Sequence, residues 1–130
     1  MTRILVTDDA LTLRLYYREV LSGAGYVVDE ALNGIEGLEK ALSEPYDLYI
    51  IDVNMPGMDG LSMLRALRQE AIPQGAAMII STETGAEISV EAARVGANLQ
   101  SAKPVRADRL LAEVRALIGP ARAQTARQAA

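Results

Sequence analysis

Five short apolar runs, each followed by a stretch with helical periodicity, constrain this chain more than any other feature. The runs are Ile4 to Val6, Val27 to Asp29, Leu48 to Ile51, Met78 to Ile80 and Leu99 to Ala102. Each is short and bounded by turn residues, so a strand is the expected element. A first helix is expected from about Leu11 to Ser22, stopped by Gly23. A second follows Asn33 as N-cap, with Ile35, Leu38 and Leu42 on one face. A third follows Gly60 with Leu61, Leu64 and Leu67. A fourth carries Ile88, Ala92 and Val95 and ends at Gly96. The last carries Leu110, Val114 and Leu117 and is closed by Gly119-Pro120. A strand-helix unit repeated five times, with continuous apolar strands, implies an α/β fold: a doubly wound parallel sheet covered on both faces.

The chain has 130 residues, half of them hydrophobic, which suits one globular domain with a real core. We place that domain at 1–119 and expect 120–130, mostly Ala, Arg and Gln, to be a disordered tail. There is no Cys and no His. That removes disulfides, thiolate chemistry, the commonest general base and the commonest transition-metal ligand. Any chemistry must rest on Asp, Glu, Lys, Ser and Thr, whose hard oxygens favour magnesium, calcium or manganese over zinc. The net charge is −4 with no basic stripe, which argues against nucleic acid as a partner. The first apolar run breaks too soon for a signal peptide, and no segment approaches the roughly 20 apolar residues that span a bilayer. A cytoplasmic protein without a membrane partner is expected.

Open parallel sheets bind ligands at the carboxyl ends of their strands. Asp8-Asp9 follows the first run, Asp52 ends the third, Ser81-Thr82 follows the fourth and Lys103 follows the fifth. Singly, each has an ordinary explanation: a turn with an N-cap, a strand-end cap, a plain loop. Together they put three carboxylates, a hydroxyl and an ammonium at one sheet edge. Two carboxylates about 5 Å apart repel by roughly 3 kcal/mol at an effective dielectric near 20. Such a set calls for a cation or a retained proton. Asp52, held on a rigid strand end, suits a nucleophile or a metal ligand. Lysine, hydroxyl and metal around it can stabilise the equatorial oxygens of a transferring phosphoryl group. The residues read as an aspartate that accepts a phosphoryl group.

The ordered set Asp8-Asp9, the block Asp52-Val53-Asn54-Met55-Pro56-Gly57-Met58-Asp59-Gly60, Ile80-Ser81-Thr82-Glu83, Val95-Gly96-Ala97-Asn98 and Lys103-Pro104 resembles the receiver domains of bacterial response regulators. The resemblance runs from about Arg3 to Ile118. It implies a flavodoxin-like fold with strand order 2-1-3-4-5 and phosphorylation on Asp52. It implies Mg2+, or Mn2+, on Asp9, Asp52 and the main-chain carbonyl of Asn54, with Asp8 acting through a metal-bound water. Lys103 would pair with a phosphoryl oxygen, and the Lys103-Pro104 bond would be cis. Ser81, 22 residues before the lysine, takes the place of the switch hydroxyl, with Thr82 beside it.

The acceptor block looks most like the CheY-like chemotaxis regulators. Asn54 and Glu83 match that subgroup's pair flanking the path of an attacking water, which implies a short-lived phosphoryl group. Two positions depart from the family: Gln100 stands at the switch position usually held by Tyr or Phe, and Val105 follows Lys103-Pro104 where Phe is common. Coupling is then expected to run on hydrogen bonds rather than aromatic burial. The resemblance implies a monomeric phospho-acceptor, with no room in the chain for an output domain. A histidine kinase is its donor, and its target is the flagellar motor switch or another protein, bound through helix four, strand five and helix five. It would act on no external substrate, catalysing only its own phosphorylation and dephosphorylation. Two alternatives stand. One keeps the chemistry and changes the output to a phosphate sink or a regulator of a kinase or other enzyme. The other is an aspartyl-phosphate phosphohydrolase, against which Asn54 speaks, since such enzymes commonly carry an acid there.

Overall fold

The computed structural model describes residues 1–83 and 85–122. Its elements alternate throughout: β1 (Arg3–Thr7), α1 (Leu11–Gly23), β2 (Val27–Ala31), α2 (Gly34–Ser43), β3 (Leu48–Asp52), α3 (Gly60–Arg68), β4 (Ala76–Ser81), α4 (Ala86–Arg94), β5 (Leu99–Ala102) and α5 (Ala107–Ile118). All strand pairs are parallel, and the order across the sheet is β2-β1-β3-β4-β5. The expected α/β architecture and strand order are both present. β1 to β4 run one to three residues beyond the apolar runs, because ends such as Thr7 and Asp52 continue the ladder, and β5 matches its run.

Alternation along each strand divides the core in two. Ile4, Val6, Leu48, Ile50, Met78 and Ile80 face α1 and α5, against Tyr17, Leu21, Leu110 and Val114. Leu5, Tyr49, Ile51, Ala77 and Ile79 face α2, α3 and α4, against Ala41, Met63, Leu64, Leu67, Ile88 and Ala92. At about 1.5–3 kcal/mol per buried large side chain, these two layers hold the fold against chain entropy.

Local signals set the helix starts. Asn33 caps α2 through Glu36 N at 2.8 Å, and Asp59 caps α3 through Ser62 N at 2.8 Å. Of the expected apolar face of α2, only Leu38 packs against the core. Ile35 and Leu42 are 57% and 41% exposed, while Gly34, Gly37 and Ala41 are buried. The helix lies too close to its neighbours for larger groups. A Cβ on Gly37 would sit 2.6 Å from Thr7 Oγ1 and 2.9 Å from Met63 Cε. Close approach leaves room for small residues at Gly34, Gly37 and Ala41, and Ile35 and Leu42 face outward.

Contacts are also described past residue 119, the expected domain end. Arg122 N donates to Thr2 Oγ1 at 2.8 Å, and its guanidinium pairs with Asp47 at 3.1 Å. Residues 120–122, assigned to the tail from sequence, are therefore fastened beside β1. The rest of the expected tail, 123–130, lies outside the described residues. Among the described residues no helix is long and apolar enough to cross a membrane.

Candidate phosphoryl-acceptor site

The sheet edge at the strand carboxyl ends gathers residues distant in sequence. β1 delivers Asp8, whose N donates to Ala31 O at 3.1 Å, so the acidic turn starts in register with β2. Asp8 Oδ1 accepts from Ala10 N at 2.9 Å, closing the turn into α1. β3 delivers Asp52, and Val53 N still donates to Ile80 O at 3.0 Å, so the acceptor sits on a continuous ladder. β4 ends at Ser81, one residue past the Asp52–Ile80 pair. β5 ends at Ala102, opposite Ser81, and Lys103 N donates to Ser81 O at 2.8 Å.

One carboxylate oxygen from each of Asp8, Asp9 and Asp52 falls within 4.8 Å of the others. Asp8 and Asp52 are buried and Asp9 is exposed. Lys103 Nζ lies 2.8 Å from Asp52 Oδ1 and 3.4 Å from Asp8 Oδ2. Burial disfavours the ammonium, but contact with Asp52 and then Asp8 outweighs it and raises the Lys103 pKa. Burial pushes the Asp52 carboxyl above its ordinary range. Lys103 opposes that rise, and the charges of Asp8 and Asp9 add to it.

The lysine leaves one need unmet. Its ammonium pairs with Asp52 Oδ1, but it is one positive charge set against three carboxylates. The net negative charge left over, on oxygens within 4.8 Å of one another, fits a hard cation. Asp8, Asp9 and Asp52 are suitable donors for magnesium.

Ser81 is fully buried, and its Oγ accepts from Glu83 N at 3.0 Å. Thr82, Glu83 and Asn54 are exposed around the site. The Lys103-Pro104 bond is cis. A cleft of about 600 Å³ between α1 and the β5–α5 loop is lined by Leu13, Tyr16, Tyr17, Thr82, Lys103 and Val105. Tyr16 donates its hydroxyl to Val105 O at 2.8 Å, tying the lysine's loop to α1. Gln100 lies on β5 beside α4. It pairs with Ile79 in the sheet, and its Oε1 accepts from Ser89 Oγ of α4 at 3.2 Å.

Sequence reasoning missed Arg14 and Glu30. Arg14 Nη1 donates to Asp8 O at 2.8 Å, and Arg14 Nε contacts Glu30 Oε1 at 3.2 Å. The two residues lie 16 apart on a helix and a strand, and only the strand order brings them together.

The chain matches the model of the response regulator receiver domain over residues 4–115 and belongs to that family. It is 35% identical over 119 residues to a probable chemotaxis protein CheY of Rhizobium etli, covering 90% of this chain and 92% of that one. It is 36% identical over 118 residues to the response regulator ArlR of Staphylococcus epidermidis, covering 91% of this chain and 53% of ArlR. The chain thus spans about half the length of ArlR. A solved structure of TrrA from Thermotoga maritima, in complex with Mg2+-BeF, superposes with a TM-score of 0.80 at 32% identity, covering 90% of this chain and 99% of that one. Receiver domains bind Mg2+ at an acidic cluster, and Asp8, Asp9 and Asp52 form such a cluster here.

Proposed function

We propose that this domain accepts a phosphoryl group on Asp52 from a kinase phosphohistidine and relays it by binding a protein. The observation that carries this reading is Lys103 Nζ at 2.8 Å from Asp52 Oδ1, within a cluster of three carboxylates. An Asp52 oxygen forms the bond to phosphorus as the donor's N–P bond breaks. Lys103 lies where it can transfer its pairing from the carboxylate to a phosphoryl oxygen. Ser81, freed from Glu83 N, turns its hydroxyl toward the same group. Asp8, Asp9, Asp52 and the Asn54 carbonyl would hold magnesium, which when bound supplies positive charge against the phosphoryl oxygens. Asn54 and Glu83 flank the approach of water and set the lifetime of the product.

For the output we favour chemotaxis, with the flagellar motor switch protein as target and α4, β5 and α5 as the contact face. The similarity to the Rhizobium etli protein, nearly end to end, supports it. The test is calorimetric titration of purified motor switch protein with this chain, with and without beryllofluoride and magnesium. Tighter binding with the phosphoryl mimic supports motor control. Equal, weak binding in both states favours a phosphate sink.

A further inference from the structure

Arg14 and Glu30 form a largely buried ion pair, their side chains 13% and 19% exposed. Glu30 is held from several sides. Its second oxygen takes Arg18 Nη1 at 2.7 Å, and its main-chain carbonyl accepts from Lys40 Nζ. Anchored this way on β2, it aims the Arg14 guanidinium at the carbonyl of Asp8. We propose that Arg14, backed by Glu30, is a positioning residue that fixes the Asp8–Asp9 peptide plane and so sets the affinity of the acidic cluster for magnesium. This inference rests on the reading of those carboxylates as magnesium ligands.

The neighbouring groups show why a positioning residue is needed. The Asp8 side chain is fixed by Ala10 N and by Lys103. Asp9 is exposed, and its carboxylate has no hydrogen-bond or ion-pair partner among the described residues. Its direction follows from the backbone alone. A peptide unit is planar, so a donor on the Asp8 carbonyl also fixes Asp9 N and Cα, the root from which the Asp9 side chain projects. Magnesium demands near-ideal octahedral geometry, so a tilted ligand loses affinity. Partners that orient metal ligands are typically worth 10–100-fold in affinity.

A positioning role and a field effect differ in sign. Arg14 is a cation near the cluster, and its charge alone repels a divalent ion. If charge were all that mattered, removing it would tighten magnesium. If Arg14 orients Asp9, removing it weakens magnesium. Lysine keeps the charge but cannot span the Asp8 carbonyl and the Glu30 carboxylate as the guanidinium fork does.

The experiment is calorimetric titration of MgCl2 into the whole chain as wild type, Arg14→Met and Arg14→Lys, with thermal melts in EDTA to establish folding. Arg14→Met keeps the apolar stem and is expected to weaken magnesium about tenfold. Arg14→Lys is expected to weaken it severalfold and serves as the deciding variant should Arg14→Met not fold. Unchanged or tighter binding in a folded variant overturns the positioning role and leaves the acceptor reading standing. A wild-type chain that binds no magnesium overturns the acceptor reading and this inference with it.

Discussion

Lys103 Nζ and Asp52 Oδ1 meet at 2.8 Å from opposite sides of β4, and the lysine still leaves the Asp52 pKa above its ordinary value. The burial that raises it, with the Asp8 and Asp9 charges adding, outweighs the single ammonium. The folded state therefore holds the Asp52 proton to higher pH than the unfolded chain does.

A pH dependence of stability follows. Between the unfolded carboxyl pKa, about 3.9, and the higher folded value, the folded state binds more protons, so stability falls as pH rises through that window. Above it the ionised Asp52 is a standing cost. Asp52→Asn in EDTA is expected to melt higher than wild type at pH 7, with the gain shrinking as pH falls and vanishing below about pH 4. Melting curves across this range check it, and a mutant less stable than wild type at pH 7 would contradict it.

Magnesium is expected to raise the melting temperature of the wild-type chain, because it relieves repulsion among Asp8, Asp9 and Asp52. At free metal 100 times the dissociation constant, mass action gives about 2.7 kcal/mol. Asp9→Asn should remove most of this gain. Equal melting temperatures in magnesium and in EDTA would sink the claim.

The coupling is expected to reach the output face at position 100, where the Gln100 side chain lies against Ser89 of α4. Ser81→Ala should leave phosphorylation largely intact and uncouple partner binding. Gln100→Tyr should strengthen discrimination between the two states, since a ring buries more apolar area. A tenfold preference of a partner needs only about 1.4 kcal/mol. NMR shifts on phosphorylation are the readout. Changes confined to the Asp52 pocket, with none from Ile88 to Leu111, would show that this face does not respond.

Thr7, which precedes Asp8 but points toward α2, offers a stability test. It is buried, and its hydroxyl has no partner among the described residues. Thr7→Val swaps that hydroxyl for a methyl of nearly the same shape. The expected gain is about 1 kcal/mol, read by urea denaturation. A loss of stability would mean that the hydroxyl is satisfied in solution.

Much of the fold was legible because strand-end chemistry and apolar runs are local signals. Asp52 ends an apolar run, and Lys103 follows another at a set distance from Ser81, so both could be placed before any coordinates. Distance-dependent features could not. Ile35 and Leu42 looked like core residues by periodicity, but Gly37 packs against Thr7 too tightly for that face to be large. Arg14 carries no signal of its own within α1, and its placement needs Glu30 from β2. The docking of Arg122 on Thr2 and Asp47 joins the two ends of the domain, a contact no periodicity announces.

The central claim is that Asp52 accepts the phosphoryl group, and intact-mass spectrometry tests it most directly. Wild type and Asp52→Asn would each be incubated with magnesium and a small phosphodonor such as acetyl phosphate. The wild-type chain is expected to gain one phosphoryl group, labile to acid and base as an acyl phosphate is. Asp52→Asn is expected to gain none, since an amide is no nucleophile. Undiminished label on Asp52→Asn would contradict the account.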